Sequence, residues 1–148
     1  MADLLLVDND PRLASLLAWY LESRGHTVRG VHSFVQARAA LAERRPDLLL
    51  SDLELGPESA REELPALALE GLLPPTLIVS GYLDPESSAA LRAVPGVVGL
   101  LAKPFELAVL EARVAECLAR ARELATGPAG DDDGWVEIEA PRRREEGA

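Results

Sequence analysis

Asp8, Asn9, Asp52, Ser80 and Lys103 each follow or close a short apolar run, and together they form a set able to handle a phosphoryl group. Two carboxylates and an amide offer hard oxygen ligands of the kind Mg²⁺ takes, an ion that typically uses one or two carboxylates with water and phosphate oxygens. Clustered carboxylates repel unless a cation offsets them, and a metal beside Asp52 would do so. An aspartate in that setting can attack phosphorus and carry an acyl phosphate. Transfer through a loose transition state asks for positioning and charge neutralisation more than for acid or base groups. The Ser80 hydroxyl and the Lys103 ammonium suit that task. Each residue alone has an ordinary explanation, since an Asp after a strand commonly just opens the next loop. Their coincidence at strand ends carries the reading.

That coincidence needs elements that bring distant points of the chain to one rim. Pro46-Asp47-Leu48-Leu49-Leu50-Ser51-Asp52 lies at the centre: three consecutive leucines read as a strand buried on both faces, as in the middle of a parallel sheet. Leu4 to Val7 is a similar run, ending in Asp8-Asn9-Asp10. Asp10 is a good N-cap and Pro11 suits the first helical position, so a helix opens there. Leu13, Leu16, Leu17, Tyr20 and Leu21 repeat at helical spacing, and Gly25 supplies the stop. Thr27 to Val31 is the next strand. Ser33 with Gln36 forms a capping box that starts a second helix running to about Arg45.

From Gly56 to Leu73 the pattern is interrupted by Pro57 and Pro65, which predicts a shortened or irregular third helix. Thr76 to Val79 is a buried strand ending at Ser80-Gly81, and Asp84-Pro85 opens a fourth helix to about Ala93. Val97 to Ala102 is the fifth strand, followed by Lys103-Pro104. A long last helix carries Leu107, Leu110, Val114, Leu118 and Ala121 on one side. Five strands alternating with five helices predict an α/β fold: a doubly wound, five-stranded parallel sheet of order 2-1-3-4-5, flavodoxin-like. Open sheets of this type bind ligands outside the carboxyl ends of their strands, where the five residues fall.

At 148 residues the chain suits one domain. We expect that domain to span residues 1–124, with residues 125–148 an acidic, flexible tail whose GPAGDDDG stretch and scant apolar surface cannot fold alone. Trp135-Val136-Glu137-Ile138-Glu139 alternates like a strand, either as an incidental apolar spot or as a docking segment for a partner or for the domain's own edge. Apolar runs are far shorter than a membrane span, and MADLLLVDND lacks the basic region and cleavage site of a signal peptide, so a cytoplasmic location is expected. A net charge of −10 argues against nucleic-acid or anionic-membrane binding, which needs a basic footprint. Cys117 is the only cysteine, which excludes an intrachain disulfide and a multi-cysteine zinc site and leaves core packing as its role. His26 and His32 lie beside predicted turns with no partner ligand nearby, at expected surface positions.

LLLVDND, DLLLSD, LIVSG and LLAKPF, in this order and at these separations, make residues 3 to 122 resemble a receiver domain of the two-component response regulators. The resemblance implies that Asp52 is the phosphoacceptor, Ser80 the associated hydroxyl and Lys103 the phosphoryl-sensing lysine, with a Pro104 peptide bond that is often cis in the family. It implies a Mg²⁺ held by Asp8, Asn9, Asp52 and the backbone carbonyl of Glu54. It implies a histidine kinase or histidine phosphotransfer protein as donor, a downstream protein target, and a dimer as one outcome of phosphorylation. With no output domain in view, a stand-alone receiver signalling through protein contacts is expected, its only chemistry being self-phosphorylation from small donors and self-dephosphorylation.

Two positions depart from the pattern. Asn9 stands where the family usually has a second metal-binding carboxylate. The lost charge forfeits gross attraction of order several kcal/mol at an effective dielectric of about 20, so weakened Mg²⁺ binding is expected. Leu100 replaces a Tyr or Phe that swings inward on activation, and an aliphatic side chain lacks that polar handle. These departures motivate the alternative of a phosphorylation-independent pseudo-receiver, a protein-interaction module of the same fold. Glu54 and Tyr82, two residues after Asp52 and Ser80, are placed to influence water access. A haloacid-dehalogenase-like phosphatase, suggested by Asp8-x-Asp10, would need a further acidic motif on a strand after Lys103, which is missing; a Ser80 hydrolase lacks the Gly-x-Ser-x-Gly turn.

Overall fold

The computed structural model describes residues 2–55, 58–81 and 84–126. Strand β1 (Asp3–Val7) leads to helix α1 (Pro11–Ser23), β2 (Thr27–Val31), α2 (Phe34–Glu43) and β3 (Leu48–Asp52). A short hairpin of β4 (Glu54–Leu55) and β5 (Glu58–Ser59) precedes α3 (Ala60–Leu69). β6 (Thr76–Ser80), α4 (Pro85–Arg92), β7 (Val97–Ala102) and α5 (Leu107–Thr126) complete the described chain. The main sheet runs β2-β1-β3-β6-β7 with every pairing parallel. Counting only its own strands, that is the expected order 2-1-3-4-5.

Strand alternation explains the two-layer cover. Leu4, Leu6, Leu48 and Leu50 point to one face, where they pack with Leu17 and Leu21 of α1 and Leu110, Val114 and Cys117 of α5. Leu5, Val7 and Leu49 point to the other, meeting Phe34 and Leu41 of α2, Leu64 and Leu67 of α3, and Leu91 of α4. The run of leucines in β3 is therefore apolar throughout because neither of its faces meets water.

Several caps formed as the residue types dictate. Asp10 Oδ1 accepts from the Arg12 and Leu13 amides, Ser33 Oγ from the Gln36 amide and Asp84 Oδ1 from the Ser87 amide. Gly25 ends the α1 turn at φ +102°, a conformation open to glycine at little cost. Two features differ from expectation: α2 stops at Glu43, and the segment after Asp52 forms a hairpin. α3 is the expected shortened helix, 10 residues with Pro65 inside it. The helix gives up one backbone bond, toward the Arg61 carbonyl, and is held by burial of Leu64 and Leu67 beside it. α5 continues to Thr126. The expected tail, with Trp135, and Tyr82 lie outside the described residues.

Candidate functional site at the carboxyl rim of the sheet

Parallel pairing of β1, β3 and β6 sets the ends of neighbouring strands level. Val7 pairs with Ser51 and Asp52 with Val79, so Asp8, Asp52 and Ser80 follow one another across the rim. Lys103 arrives from the edge strand β7, where Ser80 pairs with Ala102 and the Lys103 amide donates to the Ser80 carbonyl at 2.8 Å. The Lys103-Pro104 peptide bond is cis.

The two carboxylates are held alike. One oxygen of each is fixed by the loop that follows: Asp8 Oδ1 accepts from the Asp10 amide at 2.8 Å, and Asp52 Oδ1 from the Leu53 amide at 2.7 Å. The other oxygen of each faces the same ammonium, with Lys103 Nζ 3.5 Å from Asp8 Oδ2 and 3.4 Å from Asp52 Oδ2. These contacts are longer than a tight charged hydrogen bond, so the amine sits between the acids as a shared countercharge. The Asp8 side chain is only 4% exposed, and burying a carboxylate so deeply needs the neighbouring cation and amide. Ser80 is buried as well.

The remaining expected ligands are placed differently. Asn9 is exposed on the turn after β1, and Glu54 opens β4 just beyond Asp52. Among the described residues no group of three or more Asp, Glu, His or Cys side chains converges as a metal cage. Two carboxylate oxygens facing one point nonetheless match a hard cation that keeps several waters and takes phosphate oxygens as further ligands.

His32 went unrecognised as a neighbour of this site. Its ring is exposed, yet Nδ1 lies 3.1 Å from the Asp8 carbonyl oxygen, a pairing that requires the proton on Nδ1. The His32 amide in turn donates to Gln36 Oε1 at 2.7 Å, fixing His32 to the first turn of α2, while its ring ties the loop after β2 to the loop after β1. Sequence spacing carries no signal for a contact made between two strands. His26 is half-buried instead of exposed, and burial pushes its pKa down.

The family model of the response regulator receiver domain matches residues 4–115. The chain belongs to that family. Receivers are signalling domains of two-component systems that take a phosphoryl group on an aspartate, typically with Mg²⁺ at the same site. This receiver is 32% identical over 130 residues to the nitrogen assimilation regulatory protein NtrX of Azorhizobium caulinodans, a match covering 82% of the chain and 28% of the relative. It is 30% identical to the DNA-binding response regulator MtrA of Mycolicibacterium smegmatis, covering 95% of the chain and 60% of that protein. The chain thus spans less than two thirds of either relative. In fold it matches the signal receiver domain of a putative Luxo repressor protein from Vibrio parahaemolyticus, with a TM-score of 0.76, 23% identity and coverage of 86% of this chain and 98% of that one. Among the described residues of this receiver no helix is long and apolar enough to cross a membrane.

Proposed function

We propose that this receiver accepts a phosphoryl group on Asp52 from a phosphohistidine of a kinase or phosphotransfer protein. The observation that carries the reading is the convergence of Asp8 Oδ2 and Asp52 Oδ2 on Lys103 Nζ. Asp52 Oδ2 is the nucleophile: its bond to phosphorus forms as the phosphorus–nitrogen bond of the donor breaks, and the imidazole nitrogen keeps the electron pair. The Leu53 amide locks the carboxylate rotation by holding Oδ1. Lys103 and the Ser80 hydroxyl neutralise and bind the phosphoryl oxygens. Asp8, Asn9, Asp52 and the Glu54 carbonyl would hold Mg²⁺, which supplies further charge neutralisation when bound.

An apolar groove of about 520 Å³ runs beside Lys103, lined by Leu13, Leu16 and Leu17 of α1 with Pro104, Phe105 and Leu107, and it gives the donor protein a surface next to the site. The acidic segment itself binds no nucleic acid in this reading, works in the cytoplasm, and passes its signal to a protein. Intact mass after incubation with acetyl phosphate tests the assignment. The wild type gains one phosphoryl group in Mg²⁺ and far less without it, and Asp52→Ala gains none. Asn9→Asp restores a charge at the site and lowers the Mg²⁺ concentration required by about tenfold or more.

A second reading, the pseudo-receiver, draws support from the exposed Asn9 and from Leu100, which lies buried in the core under α4. It predicts that the wild type stays unmodified at any Mg²⁺ concentration and binds no beryllofluoride.

A further inference from the structure

α3 and α4 are joined to the end of β3 by a continuous set of hydrogen bonds. A chain of hydrogen bonds starts at the Asp52 carboxylate. The Leu53 amide donates to Asp52 Oδ1 at 2.7 Å, and the Leu53 carbonyl accepts from the Ala60 amide at 2.9 Å, fixing the start of α3 to the residue after Asp52. Arg61, next along, donates from Nε to Ser87 Oγ on α4 at 3.2 Å. The Ser87 amide then donates to Asp84 Oδ1, the cap of α4, at 2.6 Å. That bond, with the Arg61 charge adding to it, holds the Asp84 carboxyl below its usual range.

α4 is the element able to respond. It has only 8 residues, buries a single side chain, Leu91, and leaves a groove of about 250 Å³ against α3 beneath the Arg61–Ser87 bond. An element so lightly anchored depends heavily on the ties at its first turn. Phosphorylation of Asp52 turns a carboxylate into an acyl phosphate and weakens the acceptor that Leu53 uses, so the first link changes with the state of the site.

We infer that Arg61 is a positioning residue that couples the phosphorylation state of Asp52 to the placement of α4, through Leu53 and Ala60 on one side and Ser87 and Asp84 on the other. The inference rests on Asp52 being the phosphoacceptor. A physical chain of contacts becomes a coupling only when both ends shift together, which is what the experiment reads.

Hydrogen exchange of the α4 amides is measured by mass spectrometry on the full chain, with Mg²⁺ alone and with Mg²⁺ plus beryllofluoride, for wild type, Arg61→Gln and Ser87→Ala. Acetyl phosphate uptake by each is followed in parallel. Wild-type α4 is expected to change its exchange rate several-fold on adding beryllofluoride. Both variants keep phosphoryl uptake and exchange faster at α4 by about fivefold in Mg²⁺ alone, the worth of one side-chain hydrogen bond, and in both the beryllofluoride response of α4 falls to under half. A purely structural role would raise exchange equally in both states and leave the response intact. Ser87→Ala, which removes one oxygen, guards against a fold defect in Arg61→Gln. Phosphoryl uptake with an unaltered α4 response in both variants overturns the relay alone. No uptake by wild type overturns the phosphoacceptor reading and the relay with it.

Discussion

Where α1 meets α5, packing and polar ties act together: Leu17, Leu21, Leu110, Val114 and Cys117 are buried, while Tyr20 Oη donates to Glu111 Oε1 at 3.1 Å and Arg24 Nε to Glu111 Oε2 at 3.0 Å. Where α3 meets α4, the Arg61–Ser87 bond crosses an open groove and only Leu91 of α4 is buried. The first seam is built to stay put. The second lies between the helices that come after the strands ending in Asp52 and Ser80, so a loosely held seam borders the chemistry as well as a firm one. In the inferred relay, this difference would let a change at the rim move one short helix without disturbing the core.

The strongest way to break this contrast is to make equal cavities on the two sides. Leu110→Ala in α5 is expected to cost about 2–5 kcal/mol, because the surrounding layer cannot collapse. Leu91→Ala should fall at or below the low end, about 2 kcal/mol, since α4 already borders open space. Denaturant midpoints measure both, and equal losses would contradict the contrast. Cys117 reports the same difference chemically. Burial pushes its thiol up to about 12, so the native protein should resist alkylation near neutral pH. Leu110→Ala should speed labelling and Leu91→Ala should not.

A smaller effect is expected at the start of α3. Ser59 Oγ accepts from the Arg61 amide at 3.2 Å, and Ser59→Ala removes that cap at a cost of about 1 kcal/mol. Exchange at α3 and α4 should rise together while α1 and α5 stay unchanged.

The smallest effect concerns pH. Hydrogen bonding from Arg24, then from Tyr20, holds the Glu111 carboxyl below its ordinary value of 4.5 despite partial desolvation. A carboxyl with a lowered folded pKa stabilises the fold above its ordinary value and loses that contribution as pH falls through the folded one. Glu111→Gln should therefore flatten part of the acid side of a stability–pH profile below about 4.5 and leave the α4 exchange rates unchanged.

Much of this arrangement is written in local residue patterns. Leu48 to Leu50 announced a strand covered on both faces, Asp10-Pro11 and Asp84-Pro85 announced helix starts, and parallel order then forced Asp8, Asp52, Ser80 and Lys103 to one rim. What local patterns could not give was set by contacts across the fold. Pro57 and Pro65 predict only that the third helix is shortened or irregular; that it runs on through Pro65 is set by the burial of Leu64 and Leu67. The β4–β5 hairpin has two residues in each strand, too few for any periodicity. His32 beside the Asp8 carbonyl and Arg61 beside Ser87 each join residues from separate elements, and only the tertiary packing brings them together.

The central claim is that one carboxylate of this rim is the phosphoryl acceptor. Borohydride reduction of the acetyl-phosphate-treated protein, followed by peptide mapping, locates the acyl phosphate directly, because reduction converts the modified aspartate to homoserine. Homoserine at position 52, dependent on Mg²⁺, is the predicted result. Homoserine at Asp8 or Asp10 instead, or phosphate retained on Ser80 after reduction, would contradict it.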